Sequence, residues 1–245
     1  MVGAPLLAKS VAVLTGAGIS AESGVPTFRG ESGLWQSYRP EDLATPHAFR
    51  RNPQLIWEWY DWRRGLIGAC QPNSAHKVLV EMESHFDEMW LVTQNVDGLH
   101  SLAGSSNVVE LHGNIWKLRC TRSCRPAWED RRAPLPGLPP HCPDCGSLAR
   151  PDVIWFGESM PRGPLEAAYA AAQSCQLMLV IGTSALVQPA ASLPLLALES
   201  GAFVVEINPY PTPLSGSVGQ VIRAPAAEAL PGWWSQWLAD QGQPD

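Results

Sequence analysis

Apolar residues in this chain fall into short unbroken runs rather than alternating ones. They occupy 11–15, 89–93, 108–111, 153–156, 177–181 and 203–207, rich in Val, Ile and Leu. Such continuous runs suit strands covered on both faces, as in a parallel sheet. Between several of them lie helical patterns, at 74–84, 164–174 and 189–200. Strand and helix in alternation predict an α/β fold with a doubly wound, Rossmann-type sheet. Two segments break the alternation. One, 34–72, is rich in Trp, Arg and Pro and predicts a helix over 53–68; the other, 116–150, holds clustered cysteines and a proline-rich run at 133–140. The expected division is a discontinuous Rossmann-type domain (1–33, 73–115 and 151–245) with a small lobe made of a helical insertion (34–72) and a zinc-binding module (116–150). The tail, 225–240, reads as a helix packed down by Trp233, Trp234 and Trp237.

Composition narrows the class. With 245 residues, 17 Lys and Arg, and a formal charge of −6, the chain lacks the positive field that phosphate neutralisation requires, so no direct nucleic-acid binding is expected. The most apolar window, 177–198, is interrupted by Gly182, Gln188, Pro189 and Pro194 and reads as strand, turn and helix, not a membrane span. Lys9 interrupts the apolar N-terminus, which therefore lacks a secretory layout. A cytoplasmic, bacterial-type setting is expected, an organellar one remaining open, and the chain is expected to be monomeric.

Candidate chemistry begins where the first run ends. Thr15 meets Gly16-Ala17-Gly18 with no linker, and Ala21 stands in the third place of a G-x-G-x-x-A fingerprint. Bare backbone N–H groups in such a turn can approach a phosphate. Phe28-Arg29-Gly30 follows on a Gly/Ser/Pro-rich segment suited to closing over a ligand. Gln94-Asn95-Val96-Asp97, Leu111-His112-Gly113-Asn114, Gly182-Thr183-Ser184 and Asn208 all fall at the ends of apolar runs. In a parallel sheet that edge faces the ligand crevice. Gln, Asn and Asp there suit ribose hydroxyls and a carboxamide; a His suits a general base near neutrality.

Cys120-x3-Cys124 and Cys142-x2-Cys145 are two close pairs separated by 17 residues. Four thiolates on two knuckles match tetrahedral Zn²⁺ with no open position, hence a structural ion. Two disulfides or ordinary buried thiols are the other readings, and His141 is a rival ligand by position. Cys70 and Cys175, in helical patterns, read as buried hydrophobes.

Taken in order, Gly16-Ala17-Gly18-Ile19-Ser20, Pro26-Thr27-Phe28-Arg29-Gly30, Gln94-Asn95-Val96-Asp97, Leu111-His112-Gly113-Asn114, the two cysteine pairs, Phe156-Gly157-Glu158, Gly182-Thr183-Ser184 and Ile207-Asn208 resemble the sirtuin family over nearly the whole chain. Sirtuins are NAD-dependent protein-lysine deacylases with a Rossmann-type domain and a smaller zinc and helical lobe. The resemblance implies NAD as co-substrate and acyl-lysine proteins or peptides as partners. It places the NAD phosphates at Gly16, Ala17, Gly18, Gly182, Thr183 and Ser184, and the adenosine end at Asn208, Pro209, Tyr210 and Ala224. Gln94 and Asn95 would contact the nicotinamide ribose. Asp97 and the Ile19 backbone would fix the carboxamide, Phe28 would cover the ribose face, and Glu22, Thr27, Arg29, Trp35 and Val96 also fall at cofactor positions. His112, with Asn95, would carry the chemistry: the acyl amide oxygen attacks the ribose as nicotinamide leaves, and His112 takes a proton from the ribose hydroxyls. The peptide would lie as a strand between 153–158, with Val153, Trp155, Phe156, Gly157 and Glu158 as contacts, and a loop holding Val187.

Tyr60 and Arg63 stand three apart on the insertion helix, with Ile56 and Ile67 on the same face. An Arg on an apolar face needs an anion, or else must reach outward to an acid such as Glu58. Sirtuins with Tyr-x-x-Arg here remove succinyl, malonyl or glutaryl groups, which implies a desuccinylase or demalonylase with some deacetylase activity. Mono-ADP-ribosyl transfer from the same NAD site is the alternative; hydride transfer and a non-catalytic binding module find less support in these residues.

Overall fold

The computed structural model describes residues 5, 7–28, 33 and 39–241. Its strands are β1 (Ser10–Thr15), β2 (Glu88–Thr93), β3 (Val108–Glu110), β4 (Gly113–Cys120), β5 (Trp128–Glu129), β6 (Ala149–Val153), β7 (Leu177–Ile181), β8 (Phe203–Ile207) and β9 (Gln220–Ile222). The helices are α1 (Gly18–Ala21), α2 (Pro40–Leu43), α3 (Pro46–Arg51), α4 (Pro53–Gly68), α5 (Ser74–His85), α6 (Leu99–Ala103), α7 (Arg162–Ser174), α8 (Leu193–Glu199) and α9 (Ala226–Gln241).

Six strands form a parallel sheet in the order β3-β2-β1-β7-β8-β9. Alternate residues of each strand enter different cores, which is why the strands are apolar throughout. Val11, Val13, Leu91, Leu179 and Val205 pack under α5 and α9, against Leu79, Met82, Leu230, Trp234 and Trp237. Ala12, Leu14, Val92, Val180 and Val204 face Ala168, Ala171 and Ala172 of α7 and Leu193 and Ala197 of α8. The strand order reverses between β1 and β7, with Thr15 opposite Ile181. A crevice for a ligand opens at such a reversal.

A second, antiparallel sheet, β5-β4-β6, shares a separate core with the helices of the insertion. Asn52 caps α4 by accepting from the Leu55 N–H, and Pro53 occupies the first turn, where its missing N–H costs nothing. From α4 the Trp57 indole donates to the Ala149 carbonyl at 2.8 Å. Arg64, with no exposed surface, donates to the carbonyls of Ile115, Asp130 and Arg132 and faces the Asp130 carboxylate at 3.5 Å. The helix is therefore stitched to the cysteine-bearing sheet by a charged side chain.

Two sequence expectations need correction, and one strand was not expected. Residues 153–156 do not add a parallel strand: β6 ends at Val153 and pairs with β4, and the Ile154 N–H goes to the His112 carbonyl. The helix expected over 189–200 begins only at Leu193, after a 3₁₀ turn at Ala190–Ser192. β9 has no apolar run of its own, being an edge strand that pairs only with β8. Among the described residues no helix is long and apolar enough to cross a membrane.

Candidate active site

The loops after β1 and β7 touch backbone to backbone. Gly16 N–H donates to the Ile181 carbonyl at 3.0 Å and Gly18 N–H to the Gly182 carbonyl at 2.8 Å. A Cβ on Gly18 would stand 2.7 Å from the Gly182 Cα, and one on Gly182 would stand 2.4 Å from the Ile19 nitrogen. These glycines are required by the crossing itself. The N–H groups of Gly16 and Gly18 are engaged in that crossing. Donors without a partner among the described residues remain at Ala17, Thr183 and Ser184. The Ile19 backbone is likewise engaged: its N–H donates to Gly16 and its carbonyl accepts from Asn73, while its side chain sits in the core. Glu22 is turned to α9, where its carboxylate accepts from the Ala227 N–H at 2.6 Å.

The end of β2 supplies the polar groups. Gln94 Nε2 donates to Thr183 Oγ1 at 2.9 Å, which joins β2 to the β7 loop. Asn95, buried, donates from Nδ2 to the Gly16 carbonyl and to Ser20 Oγ, leaving Oδ1 with no partner among the described residues. Val96 is half-buried and its carbonyl accepts from the Ile115 N–H. Asp97, also buried, accepts from the Leu99 N–H at 2.8 Å. Burial pushes its carboxyl above the usual range, against hydrogen bonds from Leu99 and Ser20 and the nearby Arg63 charge. His112 follows β3. Its Nδ1 lies 2.9 Å from the Gln94 carbonyl. A carbonyl only accepts, so the ring proton sits on Nδ1 and Nε2 keeps its lone pair. Burial holds His112 below its ordinary pKa, partly opposed by that bond.

At the other end of the crevice, buried Asn208 donates to the Thr183 carbonyl at 2.8 Å and accepts from the Tyr210 N–H. Pro209 and Tyr210 are exposed and Ala224 is half-exposed. Arg223 donates to the Asn208 and Tyr210 carbonyls and to buried Glu206, tying this end together. The sequence carried no sign of that knot, nor of Ser20 and Asn73 behind Asn95, since each acts through a partner distant along the chain.

Tyr60 and Arg63 share the buried face of α4, as expected. Arg63, only 5% exposed, has its guanidinium 4.7 Å from the Phe28 ring centroid and 5.0 Å from that of Trp59. It does not reach Glu58, and no carboxylate lies within ion-pair distance of it among the described residues. Burial lowers its pKa; Tyr60 and Asp97 oppose that. Trp155 is buried and donates to Tyr60, whereas Phe156 is 47% exposed. Glu158 spends its carboxylate on Arg150, Arg119 and the Trp155 N–H. The N–H groups of Ile154, Trp155, Phe156 and Glu158 are all engaged internally, so a strand laid here would meet those of Gly157 and, opposite, of Leu186 and Val187, which have no partner among the described residues. Thr27 is half-buried; Arg29 and Trp35 lie outside the described residues.

Cys120, Cys124, Cys142 and Cys145 bring their sulfurs within 4.8 Å of one another, with neighbouring contacts of 3.2–3.5 Å. A disulfide would need about 2.05 Å, whereas tetrahedral Zn²⁺ with bonds near 2.3 Å sets sulfurs roughly 3.8 Å apart. The four thiols are positioned to bind a structural zinc ion. His141 stands outside the cluster, on a bridge to Leu148. An Arg125–Asp144 pair at 2.8 Å links the two knuckles from outside.

Fold and site together define a dinucleotide-type α/β protein carrying a four-cysteine lobe. A model of the Sir2 family matches residues 16–189. NAD-dependent protein deacylase 1 of Caldanaerobacter subterraneus subsp. tengcongensis is 60% identical over 203 residues, 83% of this chain and 84% of that protein. A crystal structure of a Sir2 homolog–NAD complex aligns with a TM-score of 0.90 and 45% identity, covering 97% of this chain and 92% of that one. A Sir2–p53 peptide–NAD+ structure aligns with a TM-score of 0.80 and 30% identity, covering 96% and 95%. The chain belongs to the Sir2 family, the sirtuins.

Proposed function

We propose that this chain is an NAD-dependent protein-lysine deacylase whose pocket takes acyl groups ending in a carboxylate. Membership of the family and the 60% identical deacylase support the reaction. Arg63 carries the acyl assignment: it has no anion at ion-pair distance among the described residues, a buried guanidinium so placed is costly by several kcal/mol, and a ligand carboxylate relieves that cost.

The crevice suits NAD along its length. N–H groups with no partner among the described residues, at Ala17, Thr183 and Ser184, would hold the phosphates, Asn208 the adenosine ribose, and Gln94 and Asn95 Oδ1 the nicotinamide ribose. Bound NAD supplies an electrophilic ribose carbon once its nicotinamide departs. Asp97 receives the carboxamide N–H groups. An amide oxygen is a weak nucleophile, so alignment of the acyl-lysine carries much of the rate. The acyl-peptide backbone pairs with Gly157 on one side and Leu186 and Val187 on the other. His112 Nε2 accepts the proton released by a ribose hydroxyl, and the Gln94 carbonyl steadies the resulting imidazolium through Nδ1. Phe28 shields the ribose from water while Arg63 lies over its ring.

The test compares succinyl- and acetyl-lysine peptides, with and without NAD, by mass spectrometry. Wild type should turn over the succinyl peptide at least about 30-fold more efficiently, a ratio a charge-assisted pair supports. Arg63→Met should remove that ratio. An unchanged preference in the variant would end the carboxylate assignment, and turnover without NAD would end the deacylase one.

A further inference from the structure

Tyr60 and Trp155 come from segments far apart in the chain yet meet in a single hydrogen bond, the Trp155 indole N–H donating to Tyr60 Oη at 2.8 Å. It is the one hydrogen bond of that hydroxyl among the described residues. An indole N–H cannot accept, so the phenol proton cannot return to Trp155 and is left to point elsewhere. We infer that Trp155 is a positioning residue for acyl selection, orienting Tyr60 so that its hydroxyl donates to the terminal carboxylate of the acyl group. This rests on the carboxylate reading of the Arg63 pocket.

The indole has little freedom of its own. Arg150 lies over its face, with the guanidinium carbon 3.4 Å from a ring centroid, and Phe49 packs at 5.3 Å. Arg150 is held by Glu158 through contacts of 2.6 and 2.9 Å and by the Val153 carbonyl at 2.9 Å. Glu158 also accepts the Trp155 backbone N–H at 2.9 Å. Side-chain charge, main chain and ring stacking thus fix the donor that fixes Tyr60. Burial raises the Tyr60 pKa, so the phenol keeps the proton it must donate. Acetyl-lysine offers no acceptor at that place and does not draw on the device.

Three variants test this: Trp155→Phe, Tyr60→Phe and their double, with kcat/KM measured for succinyl- and acetyl-lysine peptides. Trp155→Phe should lower the succinyl-to-acetyl ratio of kcat/KM about fivefold, the range of one lost hydrogen bond. The loss should appear chiefly in KM for the succinyl peptide. In the Tyr60→Phe background the same substitution should not change the succinyl-to-acetyl ratio further. Should Trp155→Phe fold poorly, 3-benzothienylalanine at position 155 preserves the ring shape and removes only the N–H. An unchanged ratio in the single variant, or an equal drop in both backgrounds, overturns the inference. Arg63→Met separates the two readings: if it abolishes the preference while Trp155→Phe leaves it intact, only the positioning role fails.

Discussion

His112 donates its Nδ1 proton to the Gln94 carbonyl, 2.9 Å away, so one residue of the β2 loop sets which nitrogen of the next strand-end histidine is basic. His112→Ala should abolish deacylation and leave the fold intact, checked by circular dichroism and NAD binding. Because burial holds its pKa below the ordinary value, the acid limb of kcat/KM should turn down below about 6.5 rather than at it. An acid limb at or above that value would show that another group governs it.

Adjacent arginines should behave oppositely. Arg64→Met leaves three carbonyls without their donor and takes a charge from beside the Asp130 carboxylate, which Arg132 still holds, and should cost about 3 kcal/mol in urea unfolding. Arg63→Met removes a buried charge with no carboxylate at ion-pair distance among the described residues and should leave stability unchanged or raised by up to about 2 kcal/mol.

Two glycines at positive φ separate strain from collision. Gly182, at φ +61, would bring a Cβ to 2.4 Å from the Ile19 nitrogen; Gly201, at φ +89, has nothing near it. Gly182→Ala should destabilise by more than about 3 kcal/mol and lose activity, Gly201→Ala by about 1 kcal/mol with activity kept. Equal losses in thermal melts would mean that the loop crossing relaxes.

The His76 and His100 rings pack at 4.8 Å, tilted by 49°, with no exposed surface beyond 2%, and burial lowers their pKa values to about 4 and about 3. The unfolded chain binds these protons first, so their contribution is present above about pH 6.5 and is lost as pH falls toward those values. Unfolding free energy should drop by up to about 2 kcal/mol per histidine between pH 6.5 and 5. A flat profile there would show that the pair is solvated.

Metal analysis should find a single zinc per chain. Cys142→Ala, at a buried thiol of the cluster, should lose it and melt well below wild type, because the ion joins two knuckles that are otherwise held mainly by turns. A zinc-free variant with unchanged melting would make the ion dispensable.

Much of this protein was legible in its residues. Unbroken apolar runs revealed the central strands because both faces of a parallel sheet are buried, and cysteine spacing revealed the metal cluster because knuckle geometry is local. Polar residues at run ends marked the crevice for the same reason that strand ends face it. What lacked a local signature could not be read. Periodicity put Arg63 on the apolar face, but only the packing of Phe28, Trp59 and Tyr60 shows that it stays there with no acid at ion-pair distance among the described residues. Its neighbour Arg64 meets Asp130 instead, a partner the spacing does not reveal. The engaged N–H groups of Gly16 and Gly18, the Trp155–Tyr60 bond and the Arg223–Glu206 knot each need partners brought from distant segments. Sequence determines which groups are available and which face they take; tertiary packing decides which are already satisfied, and therefore which remain for a ligand.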